Sequence, residues 1–362
     1  MIPPAEYARR MGQLQKSLGR RGLDALLVFD RGNTFYLTGM RCSLSLLLVT
    51  PAGAIMLLDG RYIEAGRAAV SNCEVRLMTT PLLGLGKWAA EFKPRTMGFE
   101  GTTAWASVRQ WQEVVAADWR PADELIAAMR LVKSPAEARA IRRSARLNDE
   151  VLASVLNSIR GDETERDLAL RIRHEADFIG AERLSFDSIV ACGAMSSRPH
   201  YEPQARPLEK GGLLLIDMGL VVEGYCSDMT RTVGLAKRPR PRLMKAYEAL
   251  LDAQEKTLSE VGPGMKCADL DRIARGRLKR KGLDEYFTHG LGHGVGLNIH
   301  EAPTLNPRSR EVLRPGMVIT IEPGVYLPGQ GGIRIEDLVL VTRTGYEALS
   351  KTPKEFRVIE IE

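Results

Sequence analysis

Three of the five histidines in this chain fall within twelve residues, in the segment His289-Gly-Leu-Gly-His293-Gly-Val-Gly-Leu-Asn-Ile-His300-Glu301. Four glycines in seven positions exclude an ordinary helix there and permit close backbone approach to a ligand. A lone histidine is most often satisfied by core hydrogen bonds. Three in one glycine-rich segment point instead to ligation or proton transfer.

Four carboxylates have the matching character. Asp217 closes the apolar run Leu213-Leu-Leu-Ile, and Asp228 follows eleven residues later in Gly224-Tyr-Cys-Ser-Asp-Met-Thr-Arg-Thr232. A turn near Glu223-Gly224 would fold these runs as a hairpin and bring the two aspartates together. Ser227 before Asp228 and Met229 after it leave the burial of Asp228 open on alternation alone. A carboxylate at the end of an apolar strand is costly to bury without a partner, and Arg231 is the only cation nearby in sequence. Metal binding is therefore favoured, weakly on this pair and more strongly with the histidines. Glu322 in Val318-Ile-Thr-Ile-Glu and Glu336 in Gly332-Ile-Arg-Ile-Glu each end a β-branched strand phrase. Four carboxylates and a histidine suit Mn²⁺, Co²⁺, Fe²⁺ or Zn²⁺. So many anions repel unless more than one cation sits among them, and two metals about 3.5 Å apart sharing carboxylates and a hydroxide answer that repulsion.

These residues need a scaffold, and the chain supplies one from Ser134 onward. Ser134, Pro135 and Glu137 spell a helix start with a capping box, and the helix should run to about Ile159. A second helix begins near Thr164 and carries His174. Strands are expected at Ser185–Ala191, Gly212–Met218 and Gly224–Val233, helices at Pro241–Val261 and Ala268–Lys281, and strands again at Val318–Glu322, Gly332–Glu336 and Leu338–Thr342. Residues 131–362 thus read as an α+β domain with helices on one face of a sheet. Residues 1–130 read as a smaller α/β supporting domain. Its helices are expected at Ala5–Arg21, Arg61–Ser71 and Ala104–Ala117, and its strands at Ala25–Phe29, Leu44–Val49, Ile55–Leu58 and Arg95–Phe99.

Length and composition are consistent with that division. A chain of 362 residues allows two domains, and 44% hydrophobic with 27% charged content excludes a disordered or fibrous chain. The net charge of +6 is mild. The basic runs Lys237–Arg242 and Arg275–Lys281 lack interleaved aromatics and read as solvated surface, so neither a nucleic-acid nor a membrane partner is expected. Five scattered cysteines without a C-x-x-C pair argue for a reducing compartment. With no signal-like apolar core at the amino terminus, a cytoplasmic location is expected.

The ligand-bearing phrases resemble the creatinase/methionine-aminopeptidase superfamily, the M24 metallopeptidases, and within it the Xaa-Pro peptidase branch of aminopeptidase P and prolidase. The resemblance runs from about Ser134 to Glu362. It implies a pita-bread catalytic domain preceded by a creatinase-like N-terminal domain, and two divalent metal ions per subunit, Mn²⁺ foremost. It implies that Asp217 is a terminal ligand of one ion, that Asp228 and Glu336 bridge both, and that His293 and Glu322 complete the second. Glu322 would also shuttle protons. His200 would bond the substrate near the scissile bond and His300 would steady the oxyanion. His289 and Arg334 fall at positions behind the ligands or in the substrate pocket, and Tyr326 would line the proline pocket. His174 matches nothing and is assigned to a surface helix.

The implied reaction is hydrolysis of the Xaa-Pro bond at the N-terminus of peptides by a metal-bridging hydroxide, in a homodimer. Substrates are peptides with proline at the second position. Dipeptidases of this branch need a cation for the substrate carboxylate, often an arginine between the histidine and glutamate ligands. Here Thr304 follows the proline, with Arg308 and Arg310 further on, so the reading leans to longer peptides, with the dipeptidase close behind. Cys226, two residues before Asp228, reads as a structural thiol. The alternatives are a non-catalytic binding module of the same fold and a metal-free relative such as creatinase. Both are expected to have lost some of the five ligands.

Overall fold

Ser134 Oγ accepts from Glu137 N (3.3 Å) while Glu137 Oε2 accepts from Ser134 N (2.9 Å), and this capping box starts the helix Pro135–Asn157. In the computed structural model, which describes residues 2–361, that helix lies in the second of two units, Met1–Arg130 and Leu131–Glu362.

The first unit is built on a six-stranded mixed sheet ordered Glu74–Leu77, Gly53–Leu58, Leu46–Thr50, Ala25–Val28, Thr96–Phe99 and Asp118–Pro121. Leu27, Leu46, Met97, Trp88 and Trp111 fill its core. The expected central strands are present. The two edge strands, Glu-Val-Arg-Leu and Asp-Trp-Arg-Pro, were not anticipated because they are short and largely exposed, so they carry no apolar alternation. The helices Arg31–Thr38, Pro81–Phe92 and Asp123–Leu131 were also not anticipated. The first is built from poor helix formers and depends on its ends. Asp30 Oδ1 accepts from Asn33 N (2.8 Å), and Gly39 closes the helix at φ 76°.

The second unit repeats one pattern, a helix pair followed by antiparallel strands. Pro135–Asn157 and Glu165–Phe178 pack Val151, Leu152 and Ile172 against Leu214, Ile216 and Val233. The sheet beneath is ordered Val358–Ile359, Met229–Leu235, Leu213–Met218, Ile189–Cys192. Pro241–Ser259 and Cys267–Lys279 pack Leu250, Leu270 and Ala274 against Ile319, Ile321 and Val339. Their sheet is ordered Glu301–Leu305, Gly292–Gly294, Val318–Ile321, Asp337–Val341, Tyr346–Ala348. The α+β class holds, but there are two helix-covered sheets, each with its own core, and two smaller sheets beside them, where a single covered sheet was expected. Each fully buried leucine or isoleucine in these cores contributes about 1.5–3 kcal/mol relative to exposure.

The expected strand Gly224–Val233 is split. Tyr225–Cys226 pairs with Leu220–Val222 across a turn whose residues Glu223 and Gly224 have φ of 53° and 85°, and Met229–Leu235 pairs with Leu213–Met218. Ser227 and Asp228 occupy the break. Gly219 permits it, since a Cβ there would stand 2.1 Å from Ser227 O. Among the described residues no helix is long and apolar enough to cross a membrane. His174 is exposed on the helix Glu165–Phe178.

Candidate active site

A cavity of about 560 Å³ in the second unit is lined by Asp217, Asp228, His293, Glu322 and Glu336, and also by His200, His289, His300 and Arg334. The hairpin supplies the first two: Asp217 sits one residue from the end of its strand, opposite Thr230, and Asp228 immediately precedes the partner strand. The second sheet supplies the others. His293 is central in Gly292–Gly294. Glu322 follows Val318–Ile321, and Glu336 lies in the turn between Gly331–Arg334 and Asp337–Val341. Glu336 N donates to Thr230 O (3.2 Å), which joins the two sets.

The ligating atoms of Asp228, His293 and Glu336 lie within 4.8 Å of one another. His293 Nδ1 lies 3.1 Å from the carbonyl of Gly294 and donates to it, so Nε2 is the ring nitrogen left to face the carboxylates. That Nε2 is 3.3 Å from Glu322 Oε1 and 3.5 Å from Asp228 Oδ2. Thr320 holds this side from behind: its Oγ1 accepts from His293 N (3.0 Å) and donates to Glu322 Oε1 (3.1 Å). His300 stands edge-on to His293 with ring centroids 4.4 Å apart.

Two threonines and an arginine position the opposite side. Arg334 Nε donates to Thr230 Oγ1 (3.0 Å), and that hydroxyl donates to Glu336 Oε2 (2.7 Å). Arg334 Nη2 bonds Asp217 Oδ2, while Nη1 donates to Tyr326 Oη (2.8 Å). Tyr326 in turn lies 2.9 Å from His289 Nε2, and His289 Nδ1 lies 2.8 Å from Gly290 O. The consistent reading is Gly290 O accepting from His289 Nδ1–H, with Tyr326 O–H donating to Nε2.

Two residues near the ligands in sequence lie off the cavity lining. Tyr326 does not line the cavity. It is buried behind His289 and links that ring to Arg334. Arg231, the cation nearest the aspartates in sequence, points to the other face of its strand and pairs with Asp337 (2.8 Å) and Thr352 O. The cation that meets Asp217 comes instead from Arg334, a strand away. Thr230 and Thr320 were not singled out, although each sits on a ligand-bearing strand, and alternation places them on the site-facing side. Arg308 and Arg310 are exposed and do not line the cavity, whereas Thr304 and Asn306 do. Cys226 is buried and its thiol donates to Leu297 O (3.6 Å).

Burial, and next the neighbouring carboxylates Glu336 for Asp228 and Glu322 for Glu336, push both acids well above the usual range. Burial also raises Asp217, against the pull of Arg334. Burial would raise Glu322 too, but the His293 hydrogen bond and charge hold it below. Burial lowers His289 and His300. The protein therefore gathers four carboxylates that resist ionising together. Two of their oxygens, Asp217 Oδ1 and Glu336 Oε1, are buried with no hydrogen-bond partner among the described residues. An unsatisfied buried carboxylate oxygen is costly. Divalent cations fit this donor set, since they satisfy the orphaned oxygens and neutralise the repulsion at once.

Residues 139–343 match the model of metallopeptidase family M24, and residues 10–132 match that of the creatinase/prolidase N-terminal domain. An Xaa-Pro dipeptidase of Pyrococcus furiosus is 32% identical over 356 residues, covering 96% of this chain and 99% of that protein. The structure of an Xaa-Pro dipeptidase from Bacillus anthracis superposes with a TM-score of 0.94 at 31% identity, over 97% of this chain and 99% of that one. An X-Pro aminopeptidase from Thermotoga maritima does so at 0.89 and 29% identity, over 96% and 99%.

Proposed function

Because this chain belongs to metallopeptidase family M24 and carries its pita-bread catalytic fold, we propose that it is a dimetal hydrolase that removes the N-terminal residue from peptides with proline at the second position. The observation that carries the reading is the pair of buried, unpartnered oxygens on Asp217 and Glu336 beside Asp228, His293 and Glu322.

In this reading Asp217, Asp228, His293, Glu322 and Glu336 hold two divalent ions, with Mn²⁺ the first to test. Such ions supply Lewis acidity and bring the pKa of water from ~15.7 towards ~7. The protein's groups do the rest. Glu322 accepts the proton of the attacking water and delivers it to the departing prolyl nitrogen, which carries no hydrogen and leaves poorly as an anion. His300 donates to the carbonyl oxygen as it gains charge, and His200 bonds the substrate near the scissile bond. His289 and Arg334, joined through Tyr326, hold Asp217 in place.

Within this reading we favour substrates that continue beyond proline. Its one lining arginine, Arg334, is already bonded to Asp217, Thr230 and Tyr326, so no free arginine or lysine among its lining residues meets a dipeptide carboxylate. The dipeptidase reading rests on the Xaa-Pro dipeptidases among the relatives. A length series of Xaa-Pro peptides assayed with Mn²⁺, Co²⁺ and Zn²⁺ in turn decides between them. A homodimer in the cytoplasm belongs to the same proposal, and sedimentation tests the dimer.

A further inference from the structure

His200 lines the cavity, yet its ring makes no hydrogen bond among the described residues. Its position must therefore come from its neighbours in the chain. On one side Pro199 O accepts from Arg334 Nη1 (3.4 Å). On the other, Tyr201 Oη donates to Glu165 Oε2 (2.7 Å). Glu165 is fully buried in the first turn of the helix Glu165–Phe178, and its carboxylate gathers three neutral donors. Oε1 accepts from Cys192 N (2.8 Å), where the strand Ile189–Cys192 ends, and Oε2 accepts from Tyr201 Oη and from Gln204 N (3.3 Å).

We infer that Glu165 is a positioning residue, its carboxylate mooring the segment 199–204 to the strand end at Cys192 so that His200 is held at the cavity. The inference rests on the peptidase reading for what His200 does there.

Helix capping does not account for this carboxylate. Thr164 and Asp167 already form the capping box, with Asp167 Oδ2 accepting from Thr164 N (2.9 Å) at the surface. A carboxylate is also the group the three donors require, because it accepts at both oxygens and donates nothing. A glutamine of the same shape turns an N–H₂ towards an N–H or an O–H and loses at least one bond. The backbone bonds Glu165 N to Arg206 O and Arg166 N to Gln204 O (both 3.0 Å) survive that change and fix only the far end of the segment.

The test combines Glu165→Gln, Tyr201→Phe and His200→Ala in the full-length, metal-loaded protein. By hydrogen exchange, Glu165→Gln should accelerate residues 199–204 and leave the helix Glu165–Phe178 as protected as before. Tyr201→Phe, which removes only the phenol link, should give a smaller acceleration of the same segment. Bound metal should be unchanged. Turnover of an Xaa-Pro peptide should fall about 100-fold in Glu165→Gln, the cost of a misplaced group of about 1 Å. In the His200→Ala background the same change should cost less than about twofold, because the residue acts through that histidine. Unchanged exchange over 199–204 in both single variants overturns the mooring. Multiplicative losses in the double variant overturn the link to His200. If the parent protein cleaves no Xaa-Pro peptide, the peptidase reading fails, and the exchange data still decide the mooring.

Discussion

Arg334 bonds one oxygen of Asp217 and leaves the other, Oδ1, buried and without a partner. That half-satisfied carboxylate explains the site better than a full salt bridge would. The arginine orients Asp217 and neutralises part of its charge, and the other oxygen stays available on a side chain that lines the cavity. The same guanidinium reaches Tyr326 and, through Thr230, Glu336, so one side chain organises both orphaned carboxylates.

Arg334→Met should therefore damage stability as well as chemistry. Removing one partner of a buried pair leaves an uncompensated charge and costs about 3–5 kcal/mol. Metal-free Arg334→Met is expected to melt well below the metal-free parent, and added metal should recover part of the loss. Arg334→Lys should not restore activity, because an ammonium cannot span Asp217, Thr230 and Tyr326 as the planar fork does. Melting curves of the three proteins and their turnover on an Xaa-Pro peptide check this.

The stabilisation by metal should grow with pH. In the metal-free protein Asp228 and Glu336 are held well above the usual carboxylate range by burial and by each other's neighbours. A raised folded-state pKa means the folded protein holds those protons more tightly. The stability they confer is present at low pH and is lost as pH rises through the raised values. Ions must displace the same protons, so they bind more tightly at higher pH. The melting-temperature gain on adding Mn²⁺ is expected to be larger near pH 8 than near pH 5. An equal or smaller gain at high pH contradicts the ligand assignment.

Asp228→Asn should remove metal and activity together. The amide keeps the shape of the side chain and removes the charge from a carboxylate 3.5 Å from His293 Nε2. Bound metal, counted by elemental analysis, should fall below that of the parent, with turnover lost. Full activity in this variant would exclude a bridging role for Asp228.

Arg308 and Arg310 should be dispensable. Both are exposed and neither lines the cavity. Arg308→Ala and Arg310→Ala should leave KM for Xaa-Pro dipeptides and tripeptides unchanged, with tripeptides the better substrates in all three proteins. A large, dipeptide-specific rise in KM in either variant would assign that arginine to the substrate carboxylate.

Much of the site was legible because its residues end strands. A carboxylate closing a buried strand run, after Leu213-Leu-Leu-Ile at Asp217 and Val318-Ile-Thr-Ile at Glu322, conflicts with its surroundings, and such conflicts mark function. The hairpin turn at Glu223-Gly224 and the capping box at Ser134 were equally local. The partnerships were not. Arg334 meets Asp217 across 117 residues of chain, and nothing local favours it over Arg231, which alternation sends to the opposite face. The depth of Tyr326 behind His289 has no sequence signal either. The break at Ser227-Asp228 depends on the close approach of Gly219 to Ser227 O, a contact invisible in a strand-like run. In the first unit, the edge strands and the helix Arg31–Thr38 escaped because their pairing and caps outweigh propensity.

The most direct measurement of the central claim is release of the free N-terminal residue from an Xaa-Pro tripeptide by the purified protein, before and after treatment with EDTA and after Mn²⁺ is restored. The account predicts cleavage at the Xaa-Pro bond, its loss on chelation and its recovery with metal. Tight binding of Xaa-Pro di- to pentapeptides with no cleavage under any of the three metals would contradict it and identify the fold as a binding module.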